Sequence, residues 1–344
     1  MAGNGHRHER VRTQKPICEP GRALGGVSEN NATPSSLSTG SELDVMKTAF
    51  EIEWQAPPAN IVANVAAKGR RLTTLFNQKD MDAMVWHRWD GPTGQPHLIL
   101  LHGGWGSWTH WIKCIPALAA RTTVLAADIP GMGDSDEIGN PDTIDPVAPL
   151  IASGISDLLE NGERYDIAGF SFGGVAAAHV AALHGERCRS FTAVGAAGFG
   201  PLHNAVAGIK LPDPRLEDDE INAIHARNLD ILMLAHESSI DPLAIHIHRT
   251  NIERGRLRSR RISMSSALVD ILPNIEARIG GIWGALDITG NGEATIEKRR
   301  DILRAHQPGC PFDIIENAGH WIMYEAPGAF LDAFIRHLDH HAAV

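Results

Sequence analysis

Short, continuous apolar runs recur along the chain, separated by stretches with helical spacing. Residues 98–101, 123–127, 165–168, 191–194, 279–284 and 312–315 form six such runs. An alternating segment, Met84-Val85-Trp86-His87-Arg88-Trp89, precedes them and reads as an edge-side strand. Apolar strands without polar alternation are buried on both faces, and helical segments between them place those strands parallel. The expected fold is therefore α/β, with a mostly parallel central sheet flanked by helices. The rhythm breaks once: about eighty residues between Val194 and Ile282 carry no strand pattern and read as loop plus helices. Within them, Ile221, Ile224, Leu229 and Leu232 recur at helical spacing, and Asp241-Pro242 has the form of an N-cap followed by proline in the first turn. A helical insertion between two sheet strands reads as a cap over a pocket. The division expected is 1–45 as a disordered extension, 46–200 and 273–344 as the core, and 201–272 as the cap.

Composition narrows the classes. Of 344 residues, 43% are hydrophobic, enough for a sizeable core, and the net charge of −10 argues against nucleic acid or an anionic membrane as partner. No run approaches the ~18 apolar residues of a membrane helix. The 4 cysteines (Cys18, Cys114, Cys188 and Cys310) are scattered, which fits a reducing cytoplasm better than a disulfide framework or zinc site. The first 45 residues are rich in Gly, Ser, Asn and charge and lack the apolar core of a secretory signal. Met46 is a candidate natural start.

The ends of the apolar runs carry the chemistry. Gly169-Phe170-Ser171-Phe172-Gly173 lies between a strand pattern and an alanine-rich helix, the setting in which G-x-S-x-G lifts a serine hydroxyl out of the sheet edge. A serine needs a base and an orienting acid. His320, in Ala318-Gly319-His320-Trp321, follows the last strand; Asp287 follows the strand before it. The order Ser171, Asp287, His320 places all three at carboxyl ends of strands, where parallel sheets hold their sites. Backbone amides of Phe172 and of Gly104, in His102-Gly103-Gly104-Trp105-Gly106, are the expected oxyanion donors, with Trp105 as the neighbouring option.

Taken together, these landmarks and the Asp128-x-Pro130-Gly131-x-Gly133-x-Ser135 loop resemble the α/β-hydrolase family over about residues 80–342. The resemblance implies the α/β-hydrolase fold with a helical cap inserted after the sixth strand, a Ser-His-Asp triad, no cofactor and no metal. It also makes Asp128 and Asp134 structural residues that fix a loop. Within the family the chain is most similar to meta-cleavage-product hydrolases and small esterases, on Gly319-His320-Trp321, Glu325 and the cap. It departs from the former group at Phe170, where that group carries Asn, and at Gly103-Gly104-Trp105-Gly106-Ser107, where a Gly-x-Gly-Pro-Gly loop is usual. Ester, lactone and carbon–carbon hydrolysis all stay open, with a small, partly apolar carbonyl compound as the partner expected and a homo-oligomer an open question.

Other readings compete. Peroxide or an alcohol could replace water as acceptor, giving a cofactor-free haloperoxidase or acyltransferase, or the fold could serve as a low-turnover receptor. Trp105, Phe170 and Trp321 are candidate substrate walls, with core packing as the alternative for the tryptophans. His246-Ile247-His248 has metal-like spacing, but alternate residues do not share a helix face and no third ligand is evident. The arginines between Arg249 and Arg261 read as a solvated face, with the alternative that one reaches a substrate carboxylate.

Overall fold

The computed structural model describes residues 48–201, 208–290 and 292–343. The extension expected over 1–45 lies outside the described residues. Helix α1 (Pro58–Ala67) leads into an eight-stranded sheet. In chain order the strands are β1 (Arg70–Asn77), β2 (Asp82–Trp89), β3 (His97–Leu101), β4 (Val124–Asp128), β5 (Tyr165–Phe170), β6 (Cys188–Val194), β7 (Arg278–Gly284) and β8 (Phe312–Ile315). Across the sheet their order is β1-β2-β4-β3-β5-β6-β7-β8. The pairs β1–β2 and β2–β4 are antiparallel, and every other pair is parallel.

Period-two alternation divides the buried strand residues between two cores. Ile99, Leu101, Leu125, Ile167 and Phe191 pack on one face, with α3 (Ala148–Leu158) and α4 (Phe172–His184). Leu98, Leu100, Val124, Ala168 and Ile282 pack on the other, with α1, α2 (Ile115–Ala119) and the C-terminal α11 (Pro327–Ala343). Two-sided burial is what makes these strands uniformly apolar.

Only helices occupy the described part of the segment between β6 and β7. They are α5 (Asp218–Leu232), α6 (Pro242–Arg254), α7 (Arg260–Ser263) and α8 (Ala267–Ile271). Glu217 and Glu220 form a reciprocal capping box on α5, and the Asp241 side chain accepts from Ala244 N at 2.8 Å to start α6. The segment has two parts. Leu257, Ile262, Leu268 and Leu272 are buried in the core beside α4, while α5 and α6 pack on each other. The stretch from about 257 thus runs back along the core. Among the described residues, no helix is long and apolar enough to cross a membrane.

Candidate active site

Strand β5 ends at Phe170, and the chain turns at Ser171 into α4. Ser171 sits at φ 51°, ψ −116°, a left-handed conformation that costs a non-glycine residue about 1–3 kcal/mol and persists only where its surroundings enforce it. They do so here. Its N–H donates to Val194 O at 3.0 Å, and its carbonyl accepts from Gly174 N and Ala197 N, both at 3.0 Å. The glycines on either side are steric requirements. A Cβ on Gly169 would collide with the backbone of Gly173, and one on Gly173 with the carbonyls of Leu101 and His102.

His320 follows β8. Its Nδ1–H donates to Asp287 Oδ2 at 2.9 Å, and both residues are buried. Asp287 Oδ1 accepts from Thr289 N at 2.8 Å and Thr289 Oγ1 at 2.7 Å. Burial pushes the Asp287 carboxyl up, but the His320 charge and hydrogen bond, the Thr289 bond and the Arg299 charge outweigh it and hold the group below the usual carboxylate range. Arg299, itself buried, donates from Nη2 to Thr289 O at 2.7 Å, so one cation braces the whole acid loop.

The His320 ring lies against Phe170, with centroids 4.8 Å apart, and a Cβ on Gly195 would stand 3.3 Å from its Nδ1. Phe170 precedes Ser171 in the chain, and Gly195 follows the residue whose carbonyl binds the Ser171 N–H. The imidazole is thereby held at the elbow. Asp287 and His320 are joined by a hydrogen bond. Ser171 Oγ makes none to any described residue. The loop bearing His320 is fastened from below by Glu325, whose carboxylate accepts from Gly319 N at 2.6 Å, Ala235 N at 2.9 Å and His236 N at 2.9 Å.

The amides of Gly104 and Phe172 donate to no described residue, and a Cβ on Gly104 would lie 3.8 Å from Phe172 Cβ. Gly104 and Phe172 are therefore neighbours, each with an N–H that no described residue accepts. A Cβ on Gly104 would displace the Ser259 hydroxyl. The following Trp105 has φ 50° and lies against Gly255 of the segment after α6. Ser107, Thr109 and Asn251 form a buried network beneath this loop: Ser107 Oγ donates to Asn251 Oδ1 at 2.8 Å, and Asn251 Nδ2 to Thr109 Oγ1 at 3.2 Å. Gly103 N donates to His110 Nδ1 at 3.2 Å, and the His110 ring is wedged between Phe170 and Trp321.

Of the three expected substrate walls, only Trp105 keeps exposed surface. Phe170 is 1% exposed and Trp321 0%. The Trp321 indole donates to His110 O at 2.8 Å and stacks on Tyr324 at 4.2 Å, so it packs the floor of the site and does not line its open space. Asp128 receives N–H bonds from Trp108 and Asp134, both at 2.9 Å, and ties two loops together. Asp134 meets Arg254 at 2.8 Å at the surface. The site's supports Thr289, Arg299, His110 and Asn251 were not singled out from sequence. For Thr289 a signal existed: a hydroxyl two residues after an acid, placed to form a local turn.

A cleft of about 270 Å³ leads to His320 between the end of α5 and the acid loop, with Leu286 and Ile288 on its rim. Larger clefts, of about 590 and 740 Å³, open beside the start of β3 and beside α1, away from these side chains.

Comparison with known proteins agrees with this fold. The family model for the alpha/beta hydrolase fold matches residues 96–220. A 2-hydroxymuconate semialdehyde hydrolase of Pseudomonas sp. (strain CF600) is 36% identical over 250 residues, 70% of this chain and 86% of that protein. The chain belongs to the α/β-hydrolase family. The 2-hydroxy-6-oxononadienedioate/2-hydroxy-6-oxononatrienedioate hydrolase of Cupriavidus pinatubonensis (strain JMP 134 / LMG 1197) is 26% identical, over 79% of this chain and 96% of its own. Among solved structures, the esterase RhEst1 from Rhodococcus sp. ECU1013 shares the fold with a TM-score of 0.63 at 17% identity, over 79% of this chain and 98% of that one. Other similarities are partial. The chain spans 31% of the dihydrolipoyllysine-residue acetyltransferase component of the acetoin cleaving system of Pseudomonas putida. It spans 37% of the pimeloyl-[acyl-carrier protein] methyl ester esterase of Aeromonas hydrophila.

Proposed function

We propose that this protein is a serine hydrolase acting on a small, partly apolar carbonyl compound: an ester, a lactone or the carbon–carbon bond of a ring-cleavage diketone. The observation that carries the reading is the buried Asp287–His320 hydrogen bond beside a serine held at φ 51°. In the proposed cycle, His320 Nε2 takes the Ser171 Oγ proton while Nδ1–H stays on Asp287, which keeps the tautomer and stabilises the imidazolium. Ser171 Oγ bonds to the substrate carbonyl carbon, and the Gly104 and Phe172 amides receive the resulting oxyanion. Such donors act on charge present in the transition state, each worth roughly 3 kcal/mol. His320 then protonates the leaving group, and water, deprotonated by the same imidazole, releases the acyl group and restores Ser171. These steps draw on side chains and amides of this chain alone. Names of relatives support both chemistries, since they include a semialdehyde hydrolase and esterases. The helices α5 and α6 are the proposed lid. A cytoplasmic location belongs to the same proposal, supported by the buried free thiols of Cys114, Cys188 and Cys310.

The test is labelling with an alkyl fluorophosphonate together with hydrolysis of p-nitrophenyl acetate. Label on Ser171 and loss of turnover in Ser171→Ala are expected. A Ser171→Ala protein as fast as the parent would overturn the assignment.

A further inference from the structure

Two cap histidines face each other in a way that fixes where one proton sits. His225 on α5 and His248 on α6 approach Nδ1 to Nδ1 at 2.9 Å, with rings nearly perpendicular at 68°. One nitrogen must donate and the other accept. His225 is 0% exposed, and its Nε2 is sealed without a partner. A buried orphan N–H is rarer in proteins than a buried orphan acceptor. In the arrangement that leaves no orphan N–H, His225 donates from Nδ1, and His248 accepts at Nδ1 and carries its own proton on Nε2. Burial first, and the proximity of His225 second, push the His248 pKa down to about 3, so this Nε2–H is a donor without charge.

The helix sets its direction. His248, Asn251 and Gly255 recur at spacings of three and four, and so share one side of the α6 path. Gly255 stands against Trp105, and Asn251 bonds Ser107 and Thr109. His248 lies one turn earlier along the same side, within electrostatic reach of His110, which in turn feels His320. The side of α6 that holds the oxyanion loop thus also carries His248.

Around α6 the cations are paired or exposed among the described residues, and Lys113 faces Asp241. Arg249 pairs with Asp218 and Glu253, Arg254 with Asp134, Arg256 with Glu137 and Arg261 with Asp142, while Arg258 and Arg260 are exposed. Arg299 is committed to the Asp287 loop. A substrate carboxylate brought here would be buried without a countercharge, which is strongly unfavourable. A carbonyl, hydroxyl or ether oxygen needs only the one donor.

We propose that His248 is a substrate-binding residue that donates its Nε2–H to an uncharged oxygen on the acyl portion, with His225 as the residue positioning it. The substrates it fits are neutral oxo- or hydroxy-esters and lactones, not acids. The inference rests on the serine-hydrolase reading for its location but not for its test. In turnover, p-nitrophenyl 4-oxopentanoate should exceed p-nitrophenyl pentanoate in kcat/KM by about tenfold, the scale of one net hydrogen bond. Mono-p-nitrophenyl glutarate should be the slowest of the three. In His248→Leu the oxo/alkyl ratio should fall to about one, and His248→Gln, which keeps an N–H, should restore part of it. At equilibrium, methyl 4-oxopentanoate should raise the melting temperature of Ser171→Ala more than methyl pentanoate does, and adding His248→Leu should remove the difference. The melting experiment needs no catalysis, so absent fluorophosphonate labelling would sink the hydrolase reading while this contact is still decided. Equal ratios in parent and His248→Leu, no difference in melting between the two methyl esters, or glutarate as the best substrate would overturn the proposal.

Discussion

Replacing Asp287 by Asn tests the proposed proton relay with almost no change of volume. Asp287 Oδ1 accepts two donors from Thr289, at 2.8 and 2.7 Å, and Oδ2 accepts one from His320 at 2.9 Å. An asparagine has one acceptor oxygen and one amide nitrogen. The fixed backbone N–H of Thr289 claims the oxygen, its rotatable hydroxyl follows, and the NH₂ group faces His320 Nδ1. That nitrogen must then accept, and its proton moves to Nε2, the atom that has to take the serine proton. The fold is kept and the base is lost. Wrong-tautomer variants of this kind lose about 10⁴ in kcat, or about 5 kcal/mol of barrier. The measurement is kcat for p-nitrophenyl acetate at neutral pH, beside a thermal melt that shows the variant folded. A folded Asp287→Asn enzyme within tenfold of the parent would refute the reasoning, because the tautomer would then not depend on the carboxylate.

Asn251→Leu removes the amide shared by the Ser107 and Thr109 hydroxyls and leaves them only each other; a loss of about 1–3 kcal/mol in denaturant unfolding is expected, with kcat falling further than KM rises because the loop of Gly104 loosens. Arg299→Met strips the brace from Thr289 O and a cation from the neighbourhood of Asp287; the acid limb of the kcat/KM pH profile should shift, and an unmoved limb would rule out the brace. Burial lowers His87 and His102 to about 4, against about 6.5 in the unfolded chain. Between those values the unfolded state binds more protons, so stability is full above about 6.5 and declines as pH falls towards about 4. Melting temperature followed from pH 7.5 to 4.5 should show that decline, and a flat profile would contradict it.

The parallel strands were legible because each is buried on both faces and keeps an unbroken apolar run. Strand β1 was not. Its sequence, Arg70-Arg71-Leu72-Thr73-Thr74-Leu75-Phe76-Asn77, lies at the sheet edge, is mostly exposed, and joins only through antiparallel pairing with β2. Helix α1 was missed for a related reason: only Ile61 and Val65 are buried, too few to set a clear period. That Ser171, Asp287 and His320 follow strand ends could be read from the short motifs that turn the chain there. Their supports could not. Arg299 reaches the acid loop from a helix, His225 and His248 meet from two helices 23 positions apart, and Asn251 finds Ser107 across 144. The sequence reading of His246 and His248 as a pair looked along one helix, whereas the partner of His248 sits on the other. Of the cap arginines, Arg254, Arg256 and Arg261 pair with acids on the β4 side at the surface.

Asp287 stands between Leu286 and Ile288, whose side chains are 50% and 49% exposed while its own residue is 2% exposed. One short loop thus turns its polar member inward and two greasy ones outward. Changes in the bulk of Leu286 or Ile288 would reshape the doorway and the range of molecules admitted, with the inner carboxylate left in place. In the proposed reaction, selectivity at the threshold and chemistry at the interior can therefore drift independently, though they share three consecutive positions.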